Sequence, residues 1–277
     1  MPELPEVETV VRDLKEAGLG GRRILKAAVH WPRTIGEPSS ARFREQVRGA
    51  RIECVSRRGK FIVISLSTGQ VLLIHLRMTG KLTFAPTGTR RSKHQHVILS
   101  LDDDRDLRFE DTRKFGRWYL LDDAQTRLGK LGPEPLEVGF TAKSLAAILS
   151  KHARMLKPLL LDQQVIAGLG NIYVDEALWD AALHPCRLSN TVSGDDAARL
   201  RRAIRKVLRR GVRAMGTSLG NASTNFYSVA GRRGRNRDGL RVFRRVGEPC
   251  PRCRTSIERL VVAQRSTHVC PQCQIDK

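Results

Sequence analysis

Apolar residues recur at helical spacing near the start of the chain, where Val7, Val10, Val11 and Leu14 line one stripe. This spacing predicts an amphipathic helix. Pro5 suits its first turn, and Glu6 and Glu8 suit its positive N-terminal end. From Arg22 to Asp122 the pattern becomes one of short β segments. Runs rich in β-branched and aromatic residues predict strands over Ile24–His30, Ala50–Arg57, Phe61–Leu66, Val71–Leu76, His96–Leu101, Leu107–Glu110 and Trp118–Leu121. Ser67-Thr68-Gly69 and Asp102-Asp103-Asp104 supply tight connections. Many short strands at such spacing argue for a β-sandwich or barrel.

The pattern breaks at Leu131-Gly132-Pro133-Glu134-Pro135, which can continue neither period. Beyond it the reading is helical: Thr141 caps a segment to about Ser150, Met155–Asp162 follows, then Ile172–Ala181, then a long helix from about Gly194 to Ala214. The expected fold class is α+β in two domains. An N-terminal β-sandwich with an N-terminal helix occupies 1–130, a linker 131–140, a helical domain 141–230, and a basic loop with a cysteine-rich hairpin 231–277. There is no internal repeat, and the Arg/Gly-rich stretch from Gly231 to Arg245 reads as a mobile loop.

Composition narrows the partner. Fifty Lys and Arg face 28 Asp and Glu in 277 residues, a formal charge of +22, with a pI near 10.8. This is beyond what solubility requires and points to a polyanion. RNA, DNA and an anionic membrane surface all meet that description, but no apolar run approaches the roughly 20 residues of a membrane span. The N-terminus is polar and acidic, unlike a signal peptide. Six cysteines, four of them in a metal-binding pattern, suit a reducing cytoplasm.

That pattern is Cys250-Pro251-Arg252-Cys253, sixteen residues, then Cys270-Pro271-Gln272-Cys273. The spacing closes a tetrahedral Zn2+ site on a β-hairpin, and four thiolates leave no open position, so the one metal is structural. The turn Gln264-Arg265-Ser266 is expected at the hairpin tip. At the other end of the chain, Pro2 follows the initiator methionine, and trimming of Met1 leaves a secondary amine. An α-amino group titrates near 7.7–8.0, so part of it is a neutral nucleophile at physiological pH. Glu3, its neighbour, is placed to donate and accept a proton. The same residues also describe a capped surface helix.

Other stretches carry chemistry less specifically. Gly168-Leu169-Gly170-Asn171 precedes a helix and suits a phosphate at its N-terminus, with Asn171 doubling as a helix cap. In Arg57-Arg58-Gly59-Lys60-Phe61 a lysine at a strand edge can reach a phosphate, or be an ordinary surface lysine. Met78, Arg113 and Phe115 have the types that fill a gap in a base stack, although Met78 and Phe115 alone read as core.

Taken together, MPELPEVETVVR, RRGKF, HLRMTG, DTRKFG, VIAGLGNIYVDEAL and the cysteine pairs resemble the formamidopyrimidine-DNA glycosylases over essentially the whole chain. The resemblance implies a base-excision repair glycosylase with lyase activity. Its substrate is damaged double-stranded DNA carrying oxidised purines, 8-oxoguanine and formamidopyrimidines. The Pro2 amine forms a Schiff base, Glu3 is the acid, Lys60 supports β-elimination and Arg265 contacts phosphate and assists δ-elimination. The helical domain becomes a helix-two-turn-helix, with Lys157 and Asn171 as phosphate contacts, and the C-terminal β-hairpin a zinc finger. His75, His94 and Lys114 also face phosphate, while Met78, Arg113 and Phe115 fill the gap left by the extruded base. The implied location is a bacterial-type cytoplasm, with the nucleoid and no membrane as partner, and a monomer suffices.

Two departures stand out. Arg77 occupies a position that is usually glycine in this family, and the segment from Asn225 through Arg245 is more arginine-rich than the usual loop. Two alternatives remain at this point. The endonuclease VIII-like branch removes oxidised pyrimidines by the same chemistry, but usually reads PEGPE where this chain has PELPE with Leu4. A noncatalytic zinc-ribbon binder of distorted DNA needs neither Pro2 nor Glu3.

Overall fold

The computed structural model describes residues 1–220 and 226–275. Asn225, at the head of the arginine-rich segment, and the last two residues of the expected zinc-finger domain lie outside them. The chain divides into two units, Met1–Lys130 with Ala214–Arg237, and Leu131–Arg213 with Asp238–Lys277.

The first unit opens with helix α1 (Leu4–Glu16), whose predicted stripe of Val7, Val10, Val11 and Leu14 is buried. Nine strands follow: β1 (Ile24–Val29), β2 (Ile35–Glu37), β3 (Ile52–Arg58), β4 (Phe61–Leu66), β5 (Val71–His75), β6 (Lys81–Pro86), β7 (Gln95–Leu101), β8 (Arg105–Glu110) and β9 (Arg117–Leu121). They form a four-stranded sheet, β1-β7-β8-β6, and a five-stranded sheet, β2-β9-β5-β4-β3. All pairings are antiparallel except β2 with β9. Period-two alternation turns Ile62, Ile64 and Leu66 of β4 inward, where they share one core with Val97, Leu99, Leu107 and Phe109 of the other sheet. Phe109 and Trp118, one from each sheet, meet edge to face at 5.6 Å.

Several short elements of this unit go beyond the expected set. Helix α2 (Ser40–Val47) buries only Phe43 and Val47, too few apolar positions to mark a period. β2 is three residues long and owes its existence to its partner β9. β6 does alternate, Lys81-Leu82-Thr83-Phe84, and pairs along its length with β8. A four-residue helix α3 (Gln125–Leu128) closes the first stretch.

The second unit contains α4 (Ala142–Ser150), α5 (Leu156–Leu161), α6 (Asn171–Asp180), α7 (Gly194–Arg213) and a hairpin of β10 (Glu258–Val262) and β11 (Arg265–Val269). Thr141 caps α4 as expected, its hydroxyl accepting the Ser144 N–H at 3.0 Å. The stretch expected as a linker is fixed to α7: Arg205 donates to the carbonyls of Pro135 and Glu137, and Arg201 to that of Phe140.

The expected boundary at 230 is corrected by the tertiary contacts. Residues 214–220 and 226–237 belong with the β-sandwich, because two buried carboxylates of α1 hold them. Glu6 accepts the Thr217 N–H at 2.7 Å, and Asp13 accepts the Ala230 N–H at 3.1 Å and the Arg232 guanidinium at 2.6 Å. Burial alone pushes the Asp13 carboxyl up, but the bonds from Ser228, Ala230 and Arg232 hold it below the usual carboxylate range. The expectation of a mobile loop from Gly231 onward is corrected in the same way. Buried Glu176 of α6 accepts the backbone N–H groups of Arg241, Val242 and Phe243 at 2.9–3.0 Å. Arginine content marked the segment as solvated; carboxylates remote in sequence fix its backbone.

Candidate active site and metal centre

Glu3 is the N-cap of α1, and both Pro2 and Glu3 are buried. The Glu3 N–H donates to Glu6 Oε2 at 2.9 Å, so one Glu6 carboxylate pins the N-terminus and the backbone at Thr217 together. Gly216 is required at this junction. It has φ +82°, and a Cβ there would stand 2.8 Å from Glu6 Cγ.

Lys60 lies in the two-residue turn between β3 and β4, after Gly59 at φ +56°. Arg57 ties this turn to α1, donating to Glu8 at 2.8 Å and to the Gly59 carbonyl at 2.9 Å. Lys60 is buried rather than a surface lysine. Nearby His75 has its ring edge to face with Phe61 at 4.9 Å, and its Nδ1 accepts the Arg77 N–H at 3.0 Å. Its pKa is pushed down to about 3, first by burial and then by the charges of Arg77 and Lys60. The imidazole is therefore neutral, with its remaining proton on Nε2 as a donor.

Met78, Arg113, Lys114 and Phe115 are all exposed, on the two turns Leu76–Gly80 and Asp111–Gly116. A buried carboxylate joins these turns. Asp111 accepts from the Thr79 hydroxyl, from the Arg113 N–H at 3.2 Å and from the Gly116 N–H at 2.7 Å. Arg113 N–H also reaches the Thr79 hydroxyl at 3.2 Å. The Arg113 guanidinium lies over the Phe115 ring at 4.8 Å, and the Lys114 ammonium over Trp31 at 3.9 Å. Met78 and Phe115 are thus surface residues, contrary to their reading as core. His94 is half-buried and contributes its carbonyl to the Asp111 N–H. The histidine packed inward is His96, whose Nε2 lies 2.8 Å from the Asp111 carbonyl oxygen. Arg77 has φ +55°, so the departure from glycine does place a side chain in the left-handed region.

In the second unit the four cysteine sulfurs lie within 4.8 Å of one another. Cys253 and Cys270 are 3.4 Å apart, and Cys250 and Cys273 3.9 Å. Zinc bonded to four thiolates at about 2.3 Å sets sulfurs about 3.8 Å apart, so the cluster fits the metal. The Trp179 indole and the Arg252 N–H each donate to Cys250 Sγ at 3.4 Å, the outer support expected of a thiolate ligand. The hairpin turn is Ala263-Gln264, both at positive φ. The expected tip shifts by one residue, because Arg265 is already paired with Val262 as the first residue of β11, its side chain exposed.

Lys157 is fully buried, not an exposed lysine. Its ammonium bonds Asp175 at 2.6 Å and the Ser266 carbonyl at 2.8 Å, and Asn171 donates to that same carbonyl at 2.9 Å. Asp175 in turn accepts the His268 N–H at 3.0 Å and faces its Nδ1 at 2.9 Å. Gly170, not Asn171, is the N-cap of α6. Residues 157 and 171 therefore set the strand that begins with Arg265. Glu6, Thr79, Asp111, Asp175 and His268 were not singled out for such roles from sequence, although the first four lie inside the quoted motifs.

Fold and site define a zinc-finger protein that combines a β-sandwich bearing its N-terminus with a helical unit. Among the described residues no helix is long and apolar enough to cross a membrane. Family models described as the formamidopyrimidine-DNA glycosylase N-terminal domain, its H2TH domain, and the zinc finger found in FPG and IleRS match residues 1–118, 131–223 and 247–275. The formamidopyrimidine-DNA glycosylase of Protochlamydia amoebophila is 47% identical over 99% of each chain. The Lactococcus lactis Fpg solved with abasic-site DNA superposes with a TM-score of 0.90 at 35% identity, covering 99% of this chain and 100% of that one. A MutM complex with DNA containing carbocyclic 8-oxo-G gives 0.91 at 35% identity over 99% and 100%. The chain belongs to the formamidopyrimidine-DNA glycosylase family.

Proposed function

We propose that this chain removes oxidised purines, 8-oxoguanine and formamidopyrimidines, from duplex DNA and cleaves the strand at the resulting abasic site. The carrying observation is the fixed N-terminus. Chain ends ordinarily fray, but here Pro2 and Glu3 are buried, and Glu6 holds Glu3 at the start of α1.

Once Met1 is removed, the Pro2 amine attacks C1′ of the damaged nucleotide. The C1′–N bond breaks with its electrons leaving on the base, which takes up, through Glu3, the proton the amine sheds on attack; Glu3 then protonates O4′ as the C1′–O4′ bond opens to the iminium. The iminium makes the C2′ proton acidic. Its loss breaks the C3′–O bond (β-elimination), and a second elimination breaks the C5′–O bond. Lys60 supports the first elimination and Arg265 the second through the flanking phosphate. Neutral His75 offers phosphate an N–H, and exposed Lys114 and half-buried His94 contact phosphate as well. Arg113, Phe115 and Met78 enter the gap left by the extruded base. Asn171 and Lys157 act largely by seating Ser266 beside Arg265. Cys250, Cys253, Cys270 and Cys273 hold the zinc, which supplies rigidity to the hairpin and no chemistry. The site of action is the cytoplasm, and the working unit is the monomer.

Borohydride trapping tests this reading. A duplex with 8-oxoguanine opposite cytosine should give a covalent complex that maps to Pro2 and disappears in Pro2→Gly. Trapping on an abasic duplex alone would keep the lyase and sink the oxidised-purine assignment. Preferential trapping on thymine glycol would favour the pyrimidine branch, and no trapping on any duplex would leave a noncatalytic binder.

A further inference from the structure

Helix α7 carries eight basic residues and no acidic one between Ala197 and Arg213. Its apolar face, Leu200, Ile204, Val207 and Leu208, packs against α4 and α6. Arg201, Arg205 and Arg210 turn toward the protein, onto the carbonyls of residues 135–140 and onto Glu176. The other five, Arg199, Arg202, Lys206, Arg209 and Arg213, are exposed at alternating spacings of three and four residues, one straight stripe on the outer face. Arg199 pairs with Asp196 and Lys206 with Asp180, but among the described residues Arg202, Arg209 and Arg213 have no carboxylate within ion-pairing distance. Like charges three and four residues apart destabilise a helix.

We infer that this stripe is a second docking surface for duplex DNA, separate from the hairpin strand that carries Arg265. Separation follows from α6, which uses opposite faces. Asn171 and Asp175 face Lys157, Ser266 and His268, next to Arg265. On the other side Glu176 pairs with Arg210 at 3.0 Å and Asp180 with Lys206 at 2.7 Å, while Tyr173 abuts Gly211. Helix α7 thus lies across α6 from the hairpin strand that carries Arg265. The fourteen rises from Arg199 to Arg213 span about 21 Å, about six base-pair rises of duplex at ~3.4 Å each. A phosphate row supplies the negative charges that the helix itself lacks. The lesion-bound enzyme would then hold a second, undamaged segment of duplex. This inference rests on the proposed function only for the identity of the first duplex.

The test uses the full chain, borohydride-trapped on a bead-bound 8-oxoguanine duplex, and measures capture of a fluorescent undamaged duplex. The same capture is run on untrapped enzyme bound to an abasic-analogue duplex. Wild type should capture the second duplex at low salt. Arg202→Gln/Arg209→Gln/Arg213→Gln should lose capture, with the slope of log affinity against log salt falling by about 3. Single-turnover cleavage of the lesion should stay within about twofold. Removing like charges should not harm folding, and circular dichroism checks it; the milder pair Arg209→Gln/Arg213→Gln should show about two-thirds of the slope change. Absence of a trapped complex is a failure of the proposed function. A complex that captures no second duplex, a triple variant that captures as well as wild type, or a parallel loss of capture and cleavage each overturns the second surface.

Discussion

Replacing Asp111 by asparagine keeps the shape of the side chain but removes acceptor capacity from the junction of the two turns that carry Met78 and Arg113–Phe115. The carboxylate takes three donors: the Thr79 hydroxyl, the Arg113 N–H at 3.2 Å and the Gly116 N–H at 2.7 Å. An asparagine oxygen can serve one side only. If it keeps Thr79 and Arg113, its own NH2 meets the buried Gly116 N–H donor to donor. If it turns to Gly116, the other two lose a charged acceptor. Either arrangement forfeits a hydrogen bond to a buried charge, about 2–3 kcal/mol, or roughly 5–10 °C in melting temperature for a unit of this size. Asp111→Ala should cost more, and Thr79→Val less, because Asp111 then keeps its two backbone donors. Thermal melting gives the stability order. Single-turnover cleavage of an 8-oxoguanine duplex gives the function, expected to fall about 10–100-fold as Arg113 and Phe115 lose their fixed placement. If Asp111→Asn melts within about 1 °C of wild type, the junction is not what holds these turns.

Three further outcomes follow from other parts of the site. The His75 pKa is held down at about 3 while an unfolded histidine titrates near 6.5, so as pH falls through this window the unfolded state binds a proton the native state refuses, and stability is lost. Between pH 7 and 4.5 this amounts to about 2–3 kcal/mol in urea unfolding; His75→Gln should lack that component, and an unchanged pH dependence would contradict the buried neutral imidazole. Stripping the zinc with an organomercurial should release one metal per chain, lower affinity for an abasic duplex, and alter the emission of Trp179, which donates to Cys250; an equal change in Trp179→Phe would show that the signal comes from elsewhere. Arg77→Gly should raise stability by about 1 kcal/mol by relieving the left-handed backbone, and a lower melting temperature would show instead that the arginine side chain holds the turn.

The periods of the chain determined α1, seven of the nine sandwich strands and the four principal helices, because each buries a face that repeats locally. The cysteine spacing alone specified the metal, since four thiolates on one hairpin need little else. What the tertiary structure decided is where the charged groups go. Lys157 reads as exposed in sequence and is fully buried, because Asp175 and the Ser266 carbonyl satisfy it at 2.6 and 2.8 Å. Asp111 reads as one acid in a turn, yet it joins two turns by reaching Thr79, 32 residues away. The arginine-rich segment after Gly231 looks solvated, and Asp13 and Glu176 fix it. A buried charge is tolerated only where its partners arrive, and here those partners come from remote segments that only the folded chain brings together.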